Sequence, residues 1–233
     1  MARLEVDASG LRAGAGVPAV DIYSNETIRQ LWPGLAEATD LIGSSQIQGR
    51  ATWSGNLCNA SPAADTVPAL VACNAQVRIA GPKGERTIPV EGFTTGPGQS
   101  VLGTGELVVE FIVPAPAPRS SDAYLRLIPR TEMDIAVVGA GVGVSLAEDG
   151  SISSARIALG AVAPTVVRVP DAEAALVGNR PTDDVLARVA AAASAAANPI
   201  DDKRGTIAYR KQVAGVLAKR ATQIAFERAG ERG

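Results

Sequence analysis

Histidine is absent from this chain, and cysteines, aromatic residues and basic clusters are scarce. Without histidine the usual general base is missing, along with Ser-His-Asp and Cys-His nucleophile arrangements. Chemistry is left to carboxylates, Lys, Tyr or a bound cofactor. The two cysteines, Cys58 and Cys73, show no CxxC spacing, which argues against a protein-ligated zinc or iron–sulfur centre within the chain. No apolar run reaches the ~18 residues of a membrane-spanning helix. Met1-Ala2-Arg3-Leu4-Glu5-Val6-Asp7 carries acids where a signal peptide is apolar. A net charge of −2 and a sequence pI near 5.3 leave no electrostatic footprint for nucleic acid or an anionic membrane. These absences point to the cytoplasm and to partners other than nucleic acid or lipid.

What is present is a chain of 233 residues, 46% hydrophobic and 20% charged, enough for a buried core in one large or two small domains. Leu4 to Val20 reads as short strands broken by glycines, and Asn25 to Ile42 as helix. Asn25 stands at a capping position, and Pro33 splits the helix in two. The second half carries Leu35, Ala38, Thr39 and Ile42 on one inward face. Thr66 to Cys73 reads as a short buried helix. A hairpin follows, Gln76 to Ala80 and Arg86 to Val90, turning at Gly81-Pro82-Lys83-Gly84. Phe93 to Ser100 is a glycine-rich loop, and the strand Leu107 to Val113 stops at Pro114-Ala115-Pro116-Ala117-Pro118, which marks a domain boundary. The expected domains are 1–119 and 120–233.

Beyond the boundary, Ala123 to Ile128, Ile135 to Leu146 and a segment through Ile157 read as strands. Two helices follow, one starting at Pro181-Thr182-Asp183-Asp184 and one with Tyr209, Val213, Val216, Leu217 and Ile224 on one face. Gly139-Ala140-Gly141-Val142-Gly143 falls short of a dinucleotide fingerprint, because Val144 stands where the third glycine belongs and no helix opens there. A strand with close backbone contacts is the better reading. Glu132, Asp134, Asp201 and Asp202 match no Ca²⁺ loop and no paired-acid motif, and solvated helix-start acids describe Asp201 and Asp202 better.

The most informative stretch is Ala51-Thr52-Trp53-Ser54-Gly55-Asn56-Leu57-Cys58-Asn59-Ala60-Ser61-Pro62-Ala63-Ala64-Asp65. Small residues, hydroxyls and carboxamides crowd into it. Such a run lets backbone N–H groups approach a phosphate or a heteroaromatic edge, with Asp65 placed to accept from ribose or ribityl hydroxyls. The same residue types also describe a buried, Asn-rich Ω-type turn with no ligand. A second block, Tyr124-Leu125-Arg126-Leu127-Ile128-Pro129-Arg130-Thr131-Glu132-Met133-Asp134-Ile135-Ala136, spaces basic residues and an acid four apart. Arg130 with Asp134 reads as an internal ion pair, or a charge–helix contact fixing the sheet, rather than as ligands.

The first block resembles the second flavin-binding segment of the FAD (medium-chain) subunits of molybdenum hydroxylases, the family of xanthine, carbon monoxide and aldehyde dehydrogenases. The family pattern is Thr/Ser-x-Gly-Gly-Asn, a short apolar stretch, then Ser-Pro-x-x-Asp. Thr52, Gly55, Asn56, Ser61, Pro62 and Asp65 fall in register, while Ser54 stands in place of the first glycine, which argues against a tight backbone contact or a positive φ at that point. The Asp134-Ile135-Ala136 block, Leu11 to Val17, Leu41 to Ile47, Leu102 to Leu107, Gly160-Ala161-Val162 and Arg204 to Arg210 extend the likeness over nearly the whole chain. It implies an α/β and α+β protein: an incomplete FAD-binding domain of the molybdenum-hydroxylase type, then a C-terminal antiparallel sheet with helices.

It further implies FAD as cofactor, contacted by Ile42, Thr52, Ser54, Gly55, Asn56, Asp65, Val108 and Arg126. Arg126 takes the place of a basic residue near the flavin ring, its alternative being a surface arginine on a strand. Cys58 falls near the ring and reads as packing. The implied partners are a molybdopterin-containing large subunit and an iron–sulfur small subunit. Electrons would pass from the clusters through FAD to NAD, oxygen or a quinone. The alternative is a non-catalytic assembly subunit or fragment that holds FAD weakly or not at all. Family members begin with about fifty further residues whose Gly-rich loop wraps the FAD pyrophosphate. Without them, Val17, Leu35 and Ile42 are expected to be partly exposed, and Thr52 to Asp65 to line the main cleft between the two parts.

Overall fold

The computed structural model describes residues 1–131 and 133–232, so Glu132 lies outside the described residues. The chain opens with the hairpin β1 (Leu4–Asp7) and β2 (Gly10–Gly14). Six short helices follow: α1 (Ala19–Tyr23), α2 (Glu26–Leu31), α3 (Pro33–Asp40), α4 (Ser45–Gln48), α5 (Trp53–Cys58) and α6 (Thr66–Ala72). Then come β3 (Gln76–Gly81), β4 (Gly84–Pro89), β5 (Thr94–Gly96), β6 (Gln99–Ser100) and β7 (Leu107–Pro114). The second part holds β8 (Ser120–Leu127), β9 (Val138–Leu146), β10 (Ile152–Gly160), β11 (Val167–Arg168), α7 (Pro170–Leu176), α8 (Asp183–Ala196) and α9 (Ile207–Gly230). Among the described residues no helix is long and apolar enough to cross a membrane.

The first sheet runs β1-β2-β7-β3-β4 and the second β11-β10-β9-β8, with antiparallel neighbours throughout. The expected mixture of helices and sheets, with an antiparallel C-terminal sheet, is therefore what the chain forms. Local chemistry explains several boundaries. Asn25 caps α2 by accepting from the Ile28 N–H at 3.1 Å, and Thr182 and Thr206 cap α8 and α9 in the same way. Pro33 opens α3, where its missing N–H costs nothing. The expected glycine-rich loop at 93–100 is a small hairpin, β5–β6.

Strand β9 shows how the two parts join. Side chains alternate across a sheet, so Val138, Ala140, Val142 and Val144 face the core under α8 and α9, while Gly139, Gly141 and Gly143 face the other way. A Cβ at Gly141 would stand 2.6 Å from the Pro68 carbonyl oxygen, and one at Gly143 2.8 Å from that of Ala72. The glycines let α6 lie flat on the sheet, and all seven of its residues are buried there.

Two expectations need correction. On α9 the buried face is Arg210, Ala214, Leu217, Ala218, Ala221, Ala225 and Ala229, whereas Tyr209 and Val216 are exposed. Close approach to the sheet and to α8 selects small residues along the centre of the face; of the expected stripe Leu217 is buried and Val213 and Ile224 pack at its edge. Val17, Leu35 and Ile42 are buried rather than partly exposed, at 2%, 0% and 9%. Leu35 and Val17 belong to the first core together with Trp53 and Phe111.

Candidate functional site

The Thr52–Asp65 block contains a helix as well as loop. Thr52 is the N-cap of α5, its hydroxyl accepting from the Gly55 N–H at 3.0 Å. The Ser54 hydroxyl donates to the Ala15 carbonyl at 2.6 Å, and Thr52 Oγ1 lies 2.9 Å from Ser54 Oγ. Each hydroxyl has one proton. Ser54 spends its proton on Ala15, so Thr52 donates to Ser54, giving a relay from Gly55 N–H through Thr52 and Ser54 to Ala15. Ser54 lies within α5 and is not among the positive-φ residues, in keeping with a non-glycine side chain at that position.

Trp53 anchors this turn from below. Its Nε1–H donates to Thr39 Oγ1 at 2.9 Å, Thr39 donates to the Leu35 carbonyl, and the indole meets Phe111 edge-on at 5.6 Å. The first turn of α5 is thus fixed, while Gly55 itself is exposed. A Cβ there would meet, among the described residues, only the Thr52 hydroxyl at 3.3 Å. Gly55 itself adds no side chain to this exposed turn, and the one N–H it presents is capped by the Thr52 hydroxyl.

At the far end of the block, Asn56 Oδ1 accepts from both the N–H and the hydroxyl of Thr66, at 3.1 and 2.6 Å, and so ties α5 to the start of α6. Asp65 accepts from Arg126 Nη1 on β8 at 2.8 Å, and the Tyr124 hydroxyl lies 3.3 Å from its other oxygen. Both side chains of the ion pair are nearly inaccessible, 13% exposed for Asp65 and 6% for Arg126. Burial raises the Asp65 carboxyl above its ordinary value, and the charge and hydrogen bond of Arg126, with the Tyr124 hydroxyl, pull it back. Arg126 Nε is buried without a partner among the described residues.

The proposed contacts therefore fall into three groups. Thr52, Ser54 and Gly55 share one exposed turn, and Asn56 joins it to Thr66. Asp65 and Arg126 form one buried pair, so Arg126 is not a surface arginine. Ile42 lies just beyond α3, and Val108 is packed in the first core opposite Ile79 on β3. Tyr124 received no separate role from the sequence. Its signal is Gly139, where a Cβ would fall 2.6 Å from the Tyr124 hydroxyl, so the neighbouring strand is cut away to seat it.

A cleft of about 540 Å³ lies between the two parts, walled by Ser61, Pro62, Ala63, Ala136, Ala161 and Ile200. The tail of the block reaches it, but Thr52, Gly55, Asn56 and Asp65 do not line it, so the expected position of the whole block is corrected. The helical turn at 53–58 carries the earlier residues away from the cleft. Cys58 is exposed rather than packed, for the same reason. Asp134 accepts from Arg204 at 3.2 Å and pairs more loosely with Arg130 at 3.4 Å, but the Arg130 side chain is largely exposed, so the expected internal pair is a surface one. Asp202 is more than a solvated acid, since it pairs at 2.6 Å with the buried Arg210, which also donates to the Val137 carbonyl at 2.7 Å.

Comparisons with known proteins agree with this architecture. Residues 1–116 match the family model described as FAD binding domain in molybdopterin dehydrogenase, and residues 113–225 match CO dehydrogenase flavoprotein C-terminal domain. The chain is 34% identical to the carbon monoxide dehydrogenase medium chain of Hydrogenophaga pseudoflava over 92% of its own length and 74% of the relative's. It is 32% identical to the putative xanthine dehydrogenase FAD-binding subunit of Escherichia coli (strain K12), over 70% of its length and 56% of that relative's. A solved carbon monoxide dehydrogenase structure from H. pseudoflava superimposes with a TM-score of 0.92 at 35% identity, covering 97% of this chain and 78% of the other. The chain belongs to the FAD-binding medium-chain subunits of the molybdenum hydroxylases, a family of oxidoreductase components.

Proposed function

We propose that this chain is the electron-transferring flavin subunit of a molybdenum-containing hydroxylase or dehydrogenase, working beside a molybdopterin-containing large subunit and an iron–sulfur small subunit. The observation that carries this reading is the fixed, exposed first turn of α5, where Gly55 carries no side chain beside the Thr52 and Ser54 hydroxyls. These residues fit the anionic portion of FAD. FAD, when bound, supplies the exchange between single electrons delivered by iron–sulfur clusters and the electron pair taken by NAD, oxygen or a quinone. The protein's part is to hold it. Thr52, Ser54 and Gly55 receive the anionic portion, Asp65 accepts from hydroxyls with the lone pairs Arg126 leaves free, and Arg126 provides a fixed positive charge.

A second reading, an assembly subunit that holds FAD poorly, is favoured by a different observation. The Thr52 hydroxyl, the Asn56 carboxamide oxygen and the Asp65 carboxylate are each already engaged within the chain. Co-expression with the large and small subunits separates the two. Stoichiometric flavin absorbance in the purified complex, lost at least tenfold in Gly55→Val with the complex still intact on size exclusion, is the expected result. A complex that assembles without flavin, and is unchanged by Gly55→Val, establishes the assembly reading instead.

A further inference from the structure

Tyr124 carries a hydroxyl that packing alone does not call for. Its side chain is 2% exposed and belongs to the first core, where phenylalanine would bury the same ring with no polar atom to satisfy. A buried hydroxyl left without a partner is costly. Strand β9 is nevertheless shaped around this one. A Cβ at Gly139 would stand 2.6 Å from the Tyr124 oxygen and 3.3 Å from the ring carbon that bears it, so the glycine holds open the place the hydroxyl occupies.

The hydroxyl is directed at Asp65. It lies 3.3 Å from Asp65 Oδ1, while Arg126 Nη1 bonds Oδ2 at 2.8 Å. Tyr124 and Arg126 stand two positions apart on β8 and project from one face of the sheet, and each takes a different oxygen. An ionised carboxylate only accepts, so the tyrosine donates, and of about four lone-pair sites on the two oxygens half remain for a ligand. One donor on one oxygen leaves a carboxylate free to swing about that bond. Two donors on two oxygens fix its plane. They also hold its charge: burial raises the Asp65 carboxyl, and Arg126 and the Tyr124 hydroxyl are the ionisable groups that draw it back. Thr66 beside Asp65, and Asn56 bonded to Thr66, carry no charge. Burial and the Asp65 charge keep the Tyr124 hydroxyl well above its ordinary value, so it stays a donor throughout the neutral range.

We propose that Tyr124 is a positioning residue of the flavin site, its hydroxyl fixing Asp65 as an oriented, ionised acceptor for a hydroxyl group of FAD. This rests on the reading of Asp65 as a flavin contact. The test uses the complex assembled with the large and small subunits, stripped of flavin and titrated with FAD from pH 5.5 to 8.5, with bound flavin separated by ultrafiltration and read at its visible absorbance. Tyr124→Phe is expected to bind FAD severalfold more weakly than the parent at pH 8. The gap should widen at least threefold further toward pH 5.5, because Asp65 takes up its proton at a higher pH in the variant. Gly139→Ala, which crowds the hydroxyl from the neighbouring strand and leaves Tyr124 in the chain, should reproduce that widening. Asp65→Asn should weaken binding without it, and adding Tyr124→Phe to Asp65→Asn should not restore it. Parallel pH profiles for the parent and Tyr124→Phe, with Asp65→Asn still weakening FAD, would overturn the proposal and leave Asp65 in the flavin site, whatever Tyr124→Phe does to urea stability. FAD affinity unchanged in Asp65→Asn would remove Asp65 from that site and the proposal with it.

Discussion

Two largely buried aspartates at opposite ends of α6 are treated differently by the fold. Asp65, at the start of α6, meets a guanidinium and a tyrosine hydroxyl that β8 brings to it. Asp122, on β8 itself, meets a backbone N–H and a thiol, and no cation bonds its carboxylate among the described residues. Burial pushes both carboxyls upward, but opposing charge restrains Asp65, whereas Asp122 stands at about 6. The difference teaches what each position is for. Asp65 and Arg126 make a closed polar joint that fixes β8 to the flavin-family block, while Asp122 combines a helix-end contact, at Leu35 in the first turn of α3, with a buried oxygen that has no partner among the described residues.

The largest effect should come from breaking the closed joint. Arg126→Met leaves Asp65 buried with no cation and is expected to cost about 3 to 5 kcal/mol in urea unfolding, the range for stripping one partner from a buried pair. Adding Asp65→Asn in the same chain should recover most of that loss. If the single variant is as stable as the parent, Asp65 does not depend on Arg126 and the contrast with Asp122 collapses.

The second effect is smaller and depends on pH. The folded-state value of Asp122, about 6, lies above its ordinary 3.8. The folded chain therefore takes up this proton before the unfolded chain does. This group's contribution is most favourable to folding below about pH 4, is lost as pH rises through about 6, and above that leaves a penalty of ~3 kcal/mol. Asp122→Asn removes the charge, so its stability relative to the parent should rise between pH 4 and 7 and level off. Parallel pH–stability curves for the two proteins would show that Asp122 is solvated or paired after all.

How much of this was legible beforehand follows the range of each interaction. Caps at Asn25 and Thr182, the break at Pro33 and the alternating glycines of β9 are written within a few residues of where they act, and each reads directly from local chemistry. The pairing of Asp65 with Arg126 spans 61 positions, and that of Asp122 with Leu35 spans 87. No periodicity encodes such distances. The first was reachable because family resemblance marked both residues as flavin contacts, although their contact with each other was not foreseen. The second carried no motif. Helix α9 misled for another reason: its large apolar residues suggested the buried stripe, whereas the separation between helix and sheet is set by the alanines at 214, 218, 221 and 225.

The smallest effect on stability separates holding the fold from holding a ligand. Thr52 stands outside both aspartate sites, with its hydroxyl capping an exposed turn. Replacing it by valine keeps the shape and removes both the acceptor for the Gly55 N–H and the donor to Ser54. An exposed cap of this kind is worth about 1 kcal/mol, well below either aspartate, because water can take over the freed N–H. Ser54 retains its bond to Ala15, and Trp53 still anchors the turn through Thr39, so α5 should stay in place. Thr52→Val is therefore expected to shift the urea midpoint slightly while lowering flavin occupancy of the assembled complex severalfold, measured as the ratio of flavin to protein absorbance. A stability loss near that of Arg126→Met would make Thr52 a structural residue of the same rank as the buried joint. Unchanged flavin occupancy would remove the α5 turn from the flavin site and leave Asp65 and Arg126 as the residues on which that site depends.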